Sequence, residues 1–179
     1  DLTRILGRAQ RGKRECMHTP RVVRRPTTVA TMRDLARAGV RTPLEAIDAT
    51  TYVALAPHDR MLVIVPMFHA NAWGMPYAAW MVGADVVFPQ QFLQAAHLSK
   101  VIEHTRPTLT GAVPTVLNDL LHNAPDTDMS SFRGVMCGGA AVPRGLIEGF
   151  RQQWDLPVMQ GWGMTETSPV CAIGTPPKE

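Results

Sequence analysis

Five short apolar runs, each closed within two residues by proline or glycine, constrain this chain more than any other feature. They are residues 61–65, 85–88, 108–112, 133–137 and 157–160, stopped by Pro66, Pro89, Pro114, Gly138 and Gly161. Runs of this length with β-branched residues and no polar alternation suit strands buried on both faces, as in a parallel sheet. Stretches with helical spacing separate them. Residues 71–82 are apolar nearly all round, and residues 93–104 place Leu93, Ala96, Val101 and Ile102 on or near one face. A third helix is opened by Pro114 and carries Val116, Leu117, Leu120 and Leu121; a fourth spans 142–154 and is opened by Pro143. Strand and helix alternating at this spacing predict an α/β fold, a parallel sheet flanked by helices.

In such a sheet ligands gather where strands end and helices begin. Four of the predicted strand ends carry unusual residues: Pro66 to His69, Gly111 to Thr115, Gly138 to Ala141 and Gln160 to Thr167.

Charge is divided sharply along the chain. Residues 1–41 hold 11 Lys+Arg against 3 Asp+Glu, while the rest of the 179 residues is net acidic. The basic front has no serine, which argues against a transit peptide, and no aromatic residue, which argues against stacking on nucleic-acid bases. No nucleic-acid partner is expected, and residues 1–53 are expected to be a disordered or diverged basic segment preceding a domain at 54–179. Three cysteines, Cys16, Cys137 and Cys171, form no CxxC pair. An odd, scattered set fits neither a disulfide framework nor a structural zinc site and suits a reducing, cytoplasmic setting.

The last junction is the richest in chemistry. Gly161 and Gly163 flank Trp162, giving a backbone that a ligand can approach and a flat face on which a base can stack. Thr165 and Glu166 follow, a hydroxyl able to donate to a phosphate oxygen beside a carboxylate able to hold Mg²⁺. Taken without its neighbours, the same segment is a glycine-rich turn into a helix N-terminus capped by Thr165 or Ser168.

The string QGWGMTETSP at 160–169 resembles the signature of the adenylate-forming (AMP-binding) superfamily. Two further segments agree, in the same order. PMFHANAWGMPYAAWMVGA at 66–84 is similar to the block of fatty-acyl-CoA synthetases that carries an acyl-side His and Trp, and VMCGGAAVPRGLIEGF at 135–150 resembles the strand end bordering the adenine. The resemblance spans about 54–175 and implies a central part of the large N-terminal domain of such an enzyme. It implies that Gly138, Gly139, Ala140 and Ala141 line the adenine and acyl-adenylate pocket. Gln160, Gly161, Trp162 and Gly163 would hold the base, with Trp162 standing where the family more often has Tyr. Thr165 would bond the phosphates, Glu166 would ligate Mg²⁺, His69 would sit beside the acyl carbonyl or the path of the thiol, and Trp73 would gate an acyl tunnel. Without the resemblance, His69 reads as a core histidine and Trp73 as plain helix packing. The cofactors implied are ATP, Mg²⁺ and coenzyme A as co-substrate. The reaction implied joins a fatty acid to coenzyme A through an acyl-adenylate.

The chain also departs from that family. No Ser/Thr/Gly-rich phosphate loop precedes residue 66; Gly12-Lys13 and Met17-His18-Thr19 are the nearest traces, in Arg-rich text that suggests a shifted reading frame up to about residue 50. The family's ribose-holding Asp and its C-terminal domain have no counterpart before Glu179. The expectation is therefore a part of a ligase, inactive alone, with self-association through exposed apolar surface. A non-catalytic binding module that keeps part of the fold is the alternative.

Overall fold

A computed structural model describes residues 21–23, 55–167 and 169–174 of the chain. Seven strands form one sheet in the order β1-β3-β2-β4-β5-β6-β7. The strands are β1 (Arg21–Val23), β2 (Arg60–Val63), β3 (Asp85–Phe88), β4 (Leu109–Ala112), β5 (Gly134–Cys137), β6 (Val158–Gly163) and β7 (Val170–Ile173). The five central strands are mutually parallel. The edge strands β1 and β7 pair antiparallel with β3 and β6. Those two edges are additions to the expected parallel sheet. Arg21–Val23 belongs to the basic segment; the remainder of residues 1–53 lies outside the described residues, as does Ser168.

Alternation along the buried strands sends residues to two apolar layers. Leu62, Val87, Ala112, Val135 and Val158 face three helices, α2 (Ala95–Thr105), α3 (Pro114–Asn123) and α4 (Arg144–Trp154). Met61, Val63, Val86, Leu109 and Met136 face α1 (Met75–Val82) on the other side. In α2 the buried set is Ala95, Leu98, Val101, Ile102 and Thr105, the spacing of one helix face. Leu98 therefore takes the place expected for Ala96, which is exposed. No side chain within α2 caps it; Asp119 of α3 accepts from the Ala95 N–H at 2.7 Å instead, tying the two helices together.

The predicted helix over 71–82 is two pieces. Residues Ala70–Trp73 make one turn with left-handed backbone: φ is 47° at Ala70, 53° at Asn71, 52° at Ala72 and 56° at Trp73. Gly74, at φ 72°, closes this turn and opens α1. Left-handed helical backbone costs L-residues roughly 1–2 kcal/mol each, so the surrounding packing must hold it. Buried Ala72 and Trp73 supply that packing.

From β2 the chain crosses to β3 through α1 on one face, then returns past β2 to β4 through α2 on the other. The connections leaving the neighbours β2 and β4 run to opposite sides of the sheet, and a crevice forms outside the carboxyl ends of strands at such a reversal.

Candidate functional site

An open cleft of about 270 Å³ lies at the carboxyl ends of β2, β5 and β6. Its walls come from three chain segments. His69, Ala70 and Trp73 follow β2, Met136, Gly138 and Gly139 end β5, and Gly161 to Glu166 with Pro169 and Val170 form the third wall. The structure thus brings together His69, Trp73, Gly138, Gly139, Gly161, Trp162, Gly163, Thr165 and Glu166 of the residues singled out by sequence. Ala140, Ala141 and Gln160 are exposed and stand outside the lining.

Two glycines set the shape of the cleft. Gly139 has φ +77°, and a Cβ there would meet Val113 Cγ1 at 3.3 Å and the Trp73 ring at 3.4 Å, so the indole packs directly beneath the bare backbone. At Gly163 a Cβ would fall 1.9 Å from the Pro169 carbonyl oxygen, so β6 and the returning chain touch backbone to backbone. That contact falls at a bulge: Trp162 pairs with Ala172 but Gly163 pairs with Val170, leaving Cys171 as the extra residue. A bulge bends its strand and re-aims side chains beside it. Trp162 stands 54% exposed at the cleft wall, unlike Trp73, which is 7% exposed.

After Gly163 the expected helix N-terminus is absent. Residues Thr165–Thr167 form a single 3₁₀ turn, and β7 begins at Val170. The close contact at Gly163 turns the chain back against β6 before a helix can begin. The side chain that closes this turn is Thr167, which sequence reading passed over in favour of Thr165. Its hydroxyl accepts from the Met164 N–H at 2.9 Å and lies 2.8 Å from the Pro169 carbonyl. A Thr four residues beyond the Gly-Trp-Gly string and three before a strand carries no distinctive signal, whereas the preceding Thr165-Glu166 pair does.

The polar side chains of the cleft are exposed: His69, Thr165 and Glu166 make no side-chain hydrogen bond or ion pair with another described residue. No described residue lining the cleft is Lys or Arg. The thiol of Cys137, by contrast, is buried in the apolar layer on the side of α2, α3 and α4, and burial pushes its pKa up to about 11, which keeps it protonated at neutral pH.

The sequence and the fold have counterparts among known proteins. Residues 30–179 match the AMP-binding enzyme family. The chain belongs to that family. It is 40% identical over 124 residues to the medium-chain-fatty-acid–CoA ligase of Ectopseudomonas oleovorans, covering 68% of this chain and 23% of that protein. It is 43% identical over 120 residues to the long-chain-fatty-acid–CoA ligase of Thermus thermophilus, covering 65% of this chain and 22% of that protein. A solved structure of o-succinylbenzoate coenzyme A synthetase from Bacillus subtilis, in complex with ATP and magnesium ion, superposes with a TM-score of 0.64 at 28% identity. The overlap covers 73% of this chain and 27% of that one. This AMP-binding chain thus spans less than a quarter of the length of the curated relatives it matches. Among its described residues no helix is long and apolar enough to cross a membrane.

Proposed function

We propose that the cleft is one wall of the acyl-adenylate pocket of a fatty-acid–CoA ligase. The observation that carries this is the convergence of an exposed indole, a hydroxyl and an unpaired carboxylate on one cleft with His69 opposite, in a chain whose relatives are acyl-CoA ligases. Trp162 would stack on the adenine and Gly138 and Gly139 would let the nucleotide approach the strand ends. Trp73, beneath Gly139, would border the acyl group. His69 would stand at the acyl carbonyl or on the path of the thiol.

The reaction has two steps. A carboxylate oxygen attacks the α-phosphorus of ATP as the bond to pyrophosphate breaks; the sulfur of coenzyme A then attacks the acyl carbon and AMP leaves. Thr165 would donate to a phosphate oxygen, and the cleft would hold the reacting groups in line. Glu166 suits Mg²⁺: among the described residues there is no cluster of three or more metal-ligating side chains, and one carboxylate completed by phosphates and water is the usual Mg²⁺ arrangement. Bound there, Mg²⁺ supplies neutralisation of charge on the phosphates.

One observation favours binding without turnover by this polypeptide alone: no described cleft residue carries the positive charge that a triphosphate clamp uses. ATP–pyrophosphate exchange with added fatty acids, run beside crystal soaks with a fatty-acyl sulfamoyladenosine, tests both readings. Exchange establishes the adenylation step in the chain itself, and acyl-CoA formed on adding coenzyme A establishes the second. Analogue bound against Trp162 and Glu166 without exchange leaves a binding wall, and analogue lodged elsewhere with both side chains turned away refutes the pocket. Exposed Phe68, Trp80 and Val82 are the surface through which the expected self-association would run.

A further inference from the structure

We propose that Thr167 is the positioning residue that aims Glu166 and Thr165 into the cleft; this rests on the reading of Glu166 as the carboxylate facing Mg²⁺. A three-residue 3₁₀ turn has almost no stability of its own, because so few hydrogen bonds offset the ordering of its backbone. Thr165 and Glu166 are exposed and make no side-chain bond to another described residue, so neither side chain fixes the turn among them. Thr167 does so from its far end. Its N–H donates to the Met164 carbonyl at 3.0 Å, and its hydroxyl accepts from the Met164 N–H at 2.9 Å. The single hydroxyl proton is shared between two acceptors in reach, the Met164 carbonyl at 2.9 Å and the Pro169 carbonyl at 2.8 Å.

The second acceptor gives the residue its leverage. The Pro169 oxygen is the atom that packs against Gly163, where any side chain would collide. One hydroxyl therefore links the start of the turn, at Met164, to the point where the chain is pinned against β6. Between those anchors lie Thr165 and Glu166. Removing the hydroxyl leaves the strand and the carboxylate present but frees the segment that carries the carboxylate. Valine matches threonine in shape and lacks the hydroxyl; serine keeps it.

The experiment is titration of the 179-residue chain with ATP, followed by tryptophan fluorescence, in excess Mg²⁺ and in EDTA. The quantity read is the ratio of the two dissociation constants. One well-aimed charge-assisted contact predicts that Mg²⁺ tightens ATP about tenfold in the unsubstituted chain. In Thr167→Val the ratio falls to about one while the metal-free affinity, set by Trp162, changes by less than about threefold. Thr167→Ser restores the Mg²⁺ response. A purely structural role would lower both affinities together and leave the ratio intact, which overturns the proposal, as does a Thr167→Ser chain that behaves like valine. Glu166→Gln separates the two levels. If it abolishes the Mg²⁺ response while Thr167→Val keeps it, only the role of Thr167 is lost. If Glu166→Gln responds to Mg²⁺ normally, or the unsubstituted chain binds no ATP, the reading of the cleft fails and Thr167 with it.

Discussion

At the amino end of the sheet, the carboxylate of Asp59 is buried and both its oxygens are matched. Arg133 donates to Oδ2 at 2.9 Å and to Oδ1 at 3.1 Å, Thr108 donates to Oδ1 at 2.7 Å, and the Ala56 N–H donates to Oδ2 at 2.7 Å. Beside it Arg60 pairs with Asp85 at 3.0 Å and also donates to the Thr105 carbonyl. At the carboxyl end, Glu166 and its neighbour Thr165 are exposed and unpaired among the described residues, as is His69 on the wall that follows β2. One sheet thus uses carboxylates in two ways. Where all donors come from the fold, the group contributes stability and has no capacity left for a ligand; where no described residue donates, it contributes little to folding and its oxygens stay open.

The largest effect should come from breaking the saturated end. Arg133→Met removes the charged donor of the buried Asp59 carboxylate; because Arg133 itself is 42% exposed and Thr108 and the Ala56 N–H remain, the cost is that of a charged hydrogen bond, about 2 kcal/mol, a fall of about 4–8 °C in Tm for a chain of this size. Affinity for a fatty-acyl sulfamoyladenosine should stay within about twofold, since nothing at the cleft has changed. The pH response of the unsubstituted chain carries the same signature. Burial alone would raise the Asp59 pKa, but the hydrogen bonds from Arg133, Thr108 and the Ala56 N–H outweigh it and hold the carboxyl below its ordinary value of 3.8. The folded state therefore binds fewer protons than the unfolded one near that pH. The stabilisation is complete above 3.8 and is lost as pH falls toward the depressed folded value, and denaturant melts between pH 6 and 2 should show a loss that Asp59→Asn removes. If Arg133→Met weakens ligand binding as strongly as it lowers Tm, the two ends are not separable.

The opposite pattern is expected at Trp162. With 54% of it exposed, truncation to alanine removes little core packing and should move Tm by no more than about 2 °C. Stacking on a base is worth about 1–3 kcal/mol, so Trp162→Ala should weaken binding of the adenylate mimic roughly 30-fold, read by calorimetry. A large drop in Tm with unchanged affinity would make the indole a packing residue.

How much of this was legible in the sequence follows from where the deciding contacts lie. Proline and glycine punctuation located the central strands, and the Gly-Trp-Gly and Thr165-Glu166 string marked one cleft wall, because those signals are local. Asp59 and Arg133 stand 74 residues apart, and nothing near either one announces the pair. The edge strand β7 escaped notice for a similar reason: four residues with a bulge become a strand only because Gly163 lets the chain fold back on β6. Ala70–Trp73 misled in another way. Ala, Asn, Ala and Trp are compatible with an ordinary helix turn, and the apolar pattern resumes past Gly74 in α1. The left-handed sense is imposed from outside, by Gly74 next door and by Trp73 seated under Gly139.

That strained turn offers the smallest and sharpest measurement. Asn71 has φ 53° and an exposed side chain, so its replacement tests backbone cost while leaving the core packing intact. Asn tolerates this region better than Ala or Trp, so Asn71→Gly should recover only about 0.3–0.5 kcal/mol, a rise of about 1–2 °C in Tm. Glycine also lets the turn relax, and His69 and Trp73 hang from its two ends. Affinity for the acyl-adenylate mimic should therefore fall slightly, by about twofold, while Tm rises. Stability and binding moving in opposite directions would mean that the cleft holds strain which the rest of the fold supports. Both rising together would mean that the turn is merely tolerated, and that the cleft owes its shape to Gly139 and Gly163 alone.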